Sequence, residues 1–323
     1  MLHVHGGSIL LENLRAAGVP GDRLEWGETL SVGPTPAGLA PDAWRATRAA
    51  FLEATSGIPH ILPALAAADR RLEQAAREED EIVLWFGPEL FCQAILIALL
   101  DRLAGCGARL SLVSLDYYPG VEDHRGCTPS YLNASQLLQV FRMRPWVTPA
   151  QHAQAREAWA AWCHSTPEPL AAQDWNNPDG LPYLADALRR QLEELPGPVH
   201  GLSRTEHTIL AVLEGKPLAF GELFRAVQER EERPWLTDVI LLDTLRRLSE
   251  GRVPLLEPPA PGGGWEGQMR VRRTSVGAEV AAGARDAVRL NGIDRWVGGT
   301  HLTPDSCWRW DTATASLIPP TSG

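Results

Sequence analysis

Three short apolar runs, each followed after a break by a stretch of helical or turn-forming sequence, constrain this 323-residue chain more than any other feature. Residues 1–5 read as a strand, Gly6-Gly7-Ser8 breaks it, and Ile9, Leu10, Leu14 and Ala17 then recur at helical spacing. Residues 81–86 form a second apolar strand before a helix at 89–104, and 109–115 a third that ends at Asp116. A parallel neighbour is reached only by a crossover long enough to hold a helix, so strands alternating with helices predict a mostly parallel sheet.

Beyond a Gly/Pro-rich connection at 33–41, a helical region runs to about residue 79 with a break near Gly57-Ile58-Pro59. From 133 to 195 the pattern is helical throughout, with Thr148 as a cap and with Trp159 and Trp162 three apart on one packing face. Ser203-Arg204-Thr205-Glu206 matches a capping box and leads into Ile209, Leu210, Val212 and Leu213. Helical segments at 221–229 and 237–248 follow, and Leu255-Leu256 and 269–271 flank a Pro/Gly-rich turn at 258–264. Three helices and a hairpin resemble a winged helix-turn-helix, and Thr274-Ser275-Val276-Gly277 reads as the return to a helix after the wing.

The expected fold is therefore α/β: a Rossmann-like, mostly parallel sheet at 1–130, a helical connecting layer at 131–200, a winged-helix-like domain at 201–283, and a Trp-rich tail at 284–323. The indoles of that tail need burial, which predicts that it docks back on the body.

Acidic residues outnumber basic ones, 40 to 30, for a net charge of −10, so phosphate backbones attract this chain only where its arginines cluster. Glu12 and Arg15 interrupt any leader-like apolar stretch, and the longest apolar run, 91–100, contains Gln93 and is too short for a bilayer. No membrane partner is expected. Cys92, Cys106, Cys127, Cys163 and Cys307 are scattered and form no zinc or redox motif, which fits a soluble cytoplasmic chain with reduced thiols. No motif assigns a cofactor or a metal.

A parallel sheet holds its ligand beyond the carboxyl ends of its strands, here Gly6-Gly7, 85–89 and 116–119. Gly6-Gly7-Ser8 leads into a helix, whose free N–H groups attract an anion; the spaced glycines of a dinucleotide fingerprint and the Walker lysine are missing, so a plain tight turn is the competing reading. His3 and His5 share one strand face, but two ligands do not make a metal site, and a cleft-lining or hydrogen-bonded imidazole is the expectation. Glu89 and Asp116 stand where a general base or a ribose-binding carboxylate would; the alternatives are a helix-start residue and a turn former. Without Gly-x-Ser-x-Gly, no Ser-His-Asp hydrolase is expected.

In the tail, Arg295, His301 and Arg309 are candidates to reach a cleft between the halves. The ligand set is thus His5, Gly6, Gly7, Ser8, Glu89, Asp116, Arg295 and His301, for a small anionic molecule or nucleotide. A nucleic-acid alternative uses Arg246, Arg247, Arg270, Arg272 and Arg273, with Arg252 nearby. Glu229, Glu231, Glu232, Asp238, Asp243 and Glu250 dilute those charges and argue against it.

The order His3-Val4-His5-Gly6-Gly7-Ser8, Gly33-Pro34, Val83-Leu84-Trp85-Phe86, Gly201-Leu202-Ser203-Arg204-Thr205-Glu206 and Asp294-Arg295-Trp296-Val297-Gly298-Gly299 resembles the bacterial domain of unknown function family 1835 over most of the chain. The resemblance implies architecture and no reaction. It also implies an acidic residue where this chain has Gly7, and a Glu-His-Asp-like run where it has Gly87-Pro88-Glu89. Three functions are open on this sequence: a small-molecule or nucleotide-binding protein, a ligand-responsive transcription regulator, and an interaction module without a ligand.

Overall fold

The computed structural model describes residues 1–121, 128–259 and 270–320. The chain opens with β1 (Leu2–His5), α1 (Ser8–Ala16), β2 (Asp22–Glu25), α2 (Pro41–Ser56) and α3 (Ile61–Glu78), then β3 (Glu81–Trp85), α4 (Leu90–Arg102) and β4 (Arg109–Val113). The strands form one sheet in the order β2-β1-β3-β4, and every neighbouring pair is parallel. A mixed α/β core with a parallel sheet is what the alternation predicts. Sequence analysis misses β2, because in Asp22-Arg23-Leu24-Glu25 only Leu24 is buried and an edge strand of this kind has no apolar run.

Side chains that alternate along the strands sort the helices onto two faces. Leu2, Val4, Ile82 and Leu84 pack with Leu72 and Ala75 of α3 and with α4, whereas Val83, Trp85 and Val113 pack with Leu10, Leu11 and Leu14 of α1. Ten of the 13 residues of α4 are buried, the pattern of a helix covered on both sides.

Of the next helices, α5 (Ala134–Met143) packs with α1 on the other face of the sheet, and α6 (Pro149–Trp162) and α8 (Leu184–Leu192), with α7 (Glu168–Ala172) against them, cover the outer side of α4. Capping boxes start α5 at Asn133 and α6 at Thr148. Between those helices, the Leu112 N–H donates to the Pro145 carbonyl and the Val147 N–H to that of Leu110, so 145–147 covers the open edge of β4.

The next elements are α9 (Arg204–Val212), β5 (Leu218–Ala219), α10 (Phe220–Gln228), α11 (Asp238–Glu250), β6 (Arg270–Val271) and α12 (Ser275–Ala281). The capping box at Ser203 and Glu206 forms as its spacing predicts. β5 pairs antiparallel with β6, and Leu256 bridges Arg273. Most of the turn expected at 258–264 lies outside the described residues, as do Met269 and Cys127.

After α13 (Ala287–Asn291), the tail folds as two hairpins, β7 (Arg295–Val297) with β8 (Thr300–Leu302) and β9 (Arg309–Asp311) with β10 (Ser316–Ile318). The Thr35 N–H donates to the Gly298 carbonyl, the Gly299 N–H to that of Trp162 and the Trp310 N–H to that of Pro196, and Arg309 pairs with Asp286 at 2.8 Å. One buried cluster runs from the sheet through Ile209, Leu241 and Val271 to Trp310, so the two halves share a core. No described helix is long and apolar enough to cross a membrane.

Candidate functional site

α1 leaves β1 toward one face of the sheet, and α4 leaves the adjacent β3 toward the other. Loops that diverge in this way leave a crevice between them, at the reversal of strand order. The two glycines there have different physical reasons. A Cβ on Gly6 would lie 2.8 Å from both Ile95 Cδ1 and Phe91 Cε1, so any side chain there would have to push α4's side chains aside.

Gly7 is extended (φ −149°, ψ 150°), and a Cβ there would meet nothing nearer than the His5 ring at 3.7 Å. Neither strain nor packing requires Gly7. It is the residue before α1, which therefore starts without a side-chain cap and has no acidic residue in its first turn. Ser8 and Ile9 are exposed whereas Leu10 and Leu11 are buried, and no side-chain acceptor among the described residues caps the first turn.

Both strand histidines are tied down. Trp85 donates its Nε1–H to His3 Nδ1 at 3.0 Å, so Nε2 carries the proton and donates to the Pro20 carbonyl at 2.8 Å. Burial lowers the His3 pKa, and with both nitrogens engaged the ring is a neutral core group with no free lone pair for a metal. His5 Nδ1 lies 2.9 Å from both the nitrogen and the oxygen of Gly7, so either tautomer anchors the ring to the loop. Its ring stacks on Phe86, and burial lowers its pKa as well.

Glu89 precedes α4 but does not cap it. Its carboxylate folds back over Gly87, where a Cβ would collide with it, and its Oε2 is enclosed without a hydrogen bond. Burial raises its pKa against the opposing pull of hydrogen bonds from Cys92 and Thr128 and the charge of Arg233. Burial, with Glu89 beside it, also pushes the Cys92 thiol well above its ordinary value, which removes it as a thiolate nucleophile.

Asp116 accepts from the Tyr183 hydroxyl at 3.0 Å and pairs with Arg233 at 3.2 Å. Arg233 also reaches Asp186 at 3.4 Å and lies over the Tyr183 ring. Burial and the neighbouring Asp116 push the Tyr183 hydroxyl up to about 12. Glu89 and Asp116 are thus gathered around Arg233, a residue of the C-terminal half that sequence reasoning misses. It sits in Glu231-Glu232-Arg233-Pro234-Trp235, where nothing in the spacing distinguishes it from a solvated loop.

A cavity of about 230 Å³ adjoins this group between Pro88 and Arg233. Its charges are internally balanced, with Arg190 on Glu231 at 2.7 Å and Arg204 on Glu193 at 2.7 Å. Chemically, the start of α1 offers a first turn without a side-chain cap, and Glu89 a buried carboxyl biased toward its protonated form on which the charge of Arg233 acts.

Arg295 and His301 lie elsewhere. Arg295 pairs with Glu206 at 2.7 Å and lines a separate cavity of about 480 Å³ with Arg247 and Asn291. Burial alone would raise the Glu206 pKa, but Arg295 and Arg247 hold it down at about 2. His301 pairs with Asp294 at 2.7 Å and stacks on Trp296. Arg309 donates to the Gly197 carbonyl.

Each arginine of the nucleic-acid set has an acidic neighbour. Arg246 lies 3.8 Å from Asp243, Arg247 3.0 Å from Glu206, Arg270 3.6 Å from Glu222, Arg272 3.4 Å from Glu257 and Arg273 4.0 Å from Glu214. Arg252 donates to the Leu290 carbonyl. Among the described residues, no group of three or more His, Cys, Asp or Glu side chains is placed to hold a metal ion.

Sequence reasoning also misses the fully buried Arg48, whose Nε donates to Glu28 at 2.8 Å. Its other nitrogens donate to the carbonyls of Thr29, Val32 and Pro34 at 2.6, 2.9 and 3.1 Å. One side chain therefore sets the Gly33-Pro34 loop beyond β2.

A scan against protein-family models gives no match to this chain, and a search of curated proteins gives none either.

Proposed function

We propose that this protein binds a small anionic molecule or nucleotide in the crevice between the ends of β1 and β3, on a Rossmann-like sheet. One observation carries the reading: the reversal of strand order coincides with a helix start that has no side-chain cap and whose first two residues, Ser8 and Ile9, are exposed, next to a glycine that neither packing nor backbone strain demands. Arg233 supports a role for the C-terminal half in completing the site, since it pairs with Asp116 and its charge acts on Glu89.

The order α9-β5-α10-α11-β6, with β5 antiparallel to β6, supports a winged-helix unit at 201–283. The acidic partner beside each of its five candidate arginines favours packing over DNA reading. The four described cysteines, all free thiols, agree with a cytoplasmic setting.

The test is a thermal-shift panel of inorganic phosphate, nucleotides and sugar phosphates on the parent protein and on Gly7→Asp. The substituted carboxylate has room, caps α1 and repels an anion. The variant should melt at or above the parent temperature and gain nothing from the ligand that protects the parent. If no anion protects the parent, or if Gly7→Asp responds equally, the reading fails. A salt-dependent DNA shift assay tests the regulator alternative, for which no retardation is expected.

A further inference from the structure

A second cleft, of about 550 Å³, opens at the ends of β1 and β2, and its chemistry is the opposite of an anion site. Phe51 and Leu52 of α2, Ile61 and Leu65 of α3, and Phe91 of α4 make its walls apolar. Its charged lining residues are Glu25, the last residue of β2, and Asp238, the first of α11; no Lys, Arg or His among the described residues lines it.

Both carboxylates are exposed, and neither forms a salt bridge among the described residues. Among the described residues, Asp238 accepts only the N–H of its neighbour Val239. The cleft is also built on a fixed support. The Arg48 guanidinium that sets loop 28–34 places Thr29 and Val32 in its wall, and α11 of the C-terminal half closes the far side.

We propose that this cleft binds a small amphiphilic cation, an apolar body carrying one protonated amine, with the body between α2 and α3 and the ammonium at Glu25 and Asp238. Charge complementarity selects the sign: two unpaired carboxylates with no compensating base attract a cation and repel an anion. Size selects a small molecule over a peptide. One turn of helix, 5.4 Å long and 10–12 Å across, already takes on the order of 500 Å³, whereas small-ligand sites span roughly 300–1,000 Å³.

The experiment titrates octylamine (protonated at pH 7), octanol and octanoate into the full chain by calorimetry, below their aggregation concentrations. The affinity order should be octylammonium, then octanol, then octanoate, with at least tenfold between the first and last. The double variant Glu25→Gln/Asp238→Asn changes only exposed groups and should bring octylammonium down to the affinity of octanol. Ala64→Trp, at an exposed lining position on α3, should weaken all three by filling the cleft. Gly7→Asp should leave amine binding unchanged, which separates this site from the anion site. Equal affinities for the three probes, strongest binding of octanoate, no binding by any of them, or indifference to Ala64→Trp in a variant that melts like the parent would each overturn the proposal.

Discussion

Replacing Arg48 by methionine tests whether one buried guanidinium organises the loop beyond β2. The substitution keeps the side-chain length and removes one ion pair and three hydrogen bonds to carbonyls. It leaves Glu28, which is 5% exposed, without its cation. Breaking a buried pair from one side costs about 3–5 kcal/mol, and the orphaned carbonyls favour the upper end. With an unfolding entropy of about 2.1 cal/mol/K per residue, a 323-residue chain that melts as one unit loses on the order of 7 °C for 5 kcal/mol.

The pH dependence identifies the cause. Burial already raises the Glu28 pKa, and Arg48 opposes that rise, so the variant raises it further. A carboxyl with a folded pKa above its unfolded one loses stability as pH climbs from the unfolded value through the folded value. Urea unfolding at pH 5 and pH 8 should therefore show a larger deficit for Arg48→Met at pH 8. Adding Glu28→Gln should remove that difference. A loss below about 1 kcal/mol, or equal deficits at both pH values, would refute the assignment.

Gly6→Ala should lower stability by about 1–2 kcal/mol in chemical denaturation, because its Cβ presses on Ile95 and Phe91; a neutral result would mean that α4 can yield. Glu206, held at about 2 by Arg295 and Arg247, contributes stability that is present above its unfolded pKa near 4.5 and lost as pH falls toward 2. Glu206→Gln should thus cost roughly 3 kcal/mol at pH 7 and progressively less across that window. Burial, and then the stacked His207 ring, lower His200 to about 4, so its neutral form stabilises the fold above pH 6.5 and that contribution is lost between 6.5 and 4. His200→Asn should flatten the denaturation midpoint across that interval; an unchanged slope would assign the acid sensitivity to other groups.

The apolar runs of β1, β3 and β4 and the capping box at Ser203 are legible because burial on both faces and a local hydrogen-bond motif each leave a pattern in consecutive residues. β2 leaves none, since its exposed edge needs only Leu24 inside. The tail reads as aromatic and docking, but β7 to β10 are too short for periodicity to announce them. At the site, Gly6, Gly7, Glu89 and Asp116 follow from strand ends alone. Arg233, Tyr183 and Arg48 do not, because each acts across 20 to more than 100 residues of chain and sequence spacing carries no trace of such a contact. Arg295 and His301, conspicuous residues in a conspicuous tail, pair with Glu206 and Asp294, and Arg295 lines a separate cavity.

If the uncapped start of α1 receives an anion, amide chemical shifts of the ¹⁵N-labelled chain will report it during a titration with inorganic phosphate at constant ionic strength. Saturable shifts should concentrate at Ser8 and Ile9 and be absent in Gly7→Asp, with Arg233 and Glu89 responding next. Shifts spread over the surface arginines without saturation, or a saturable response that leaves residues 7–10 unmoved, would contradict it.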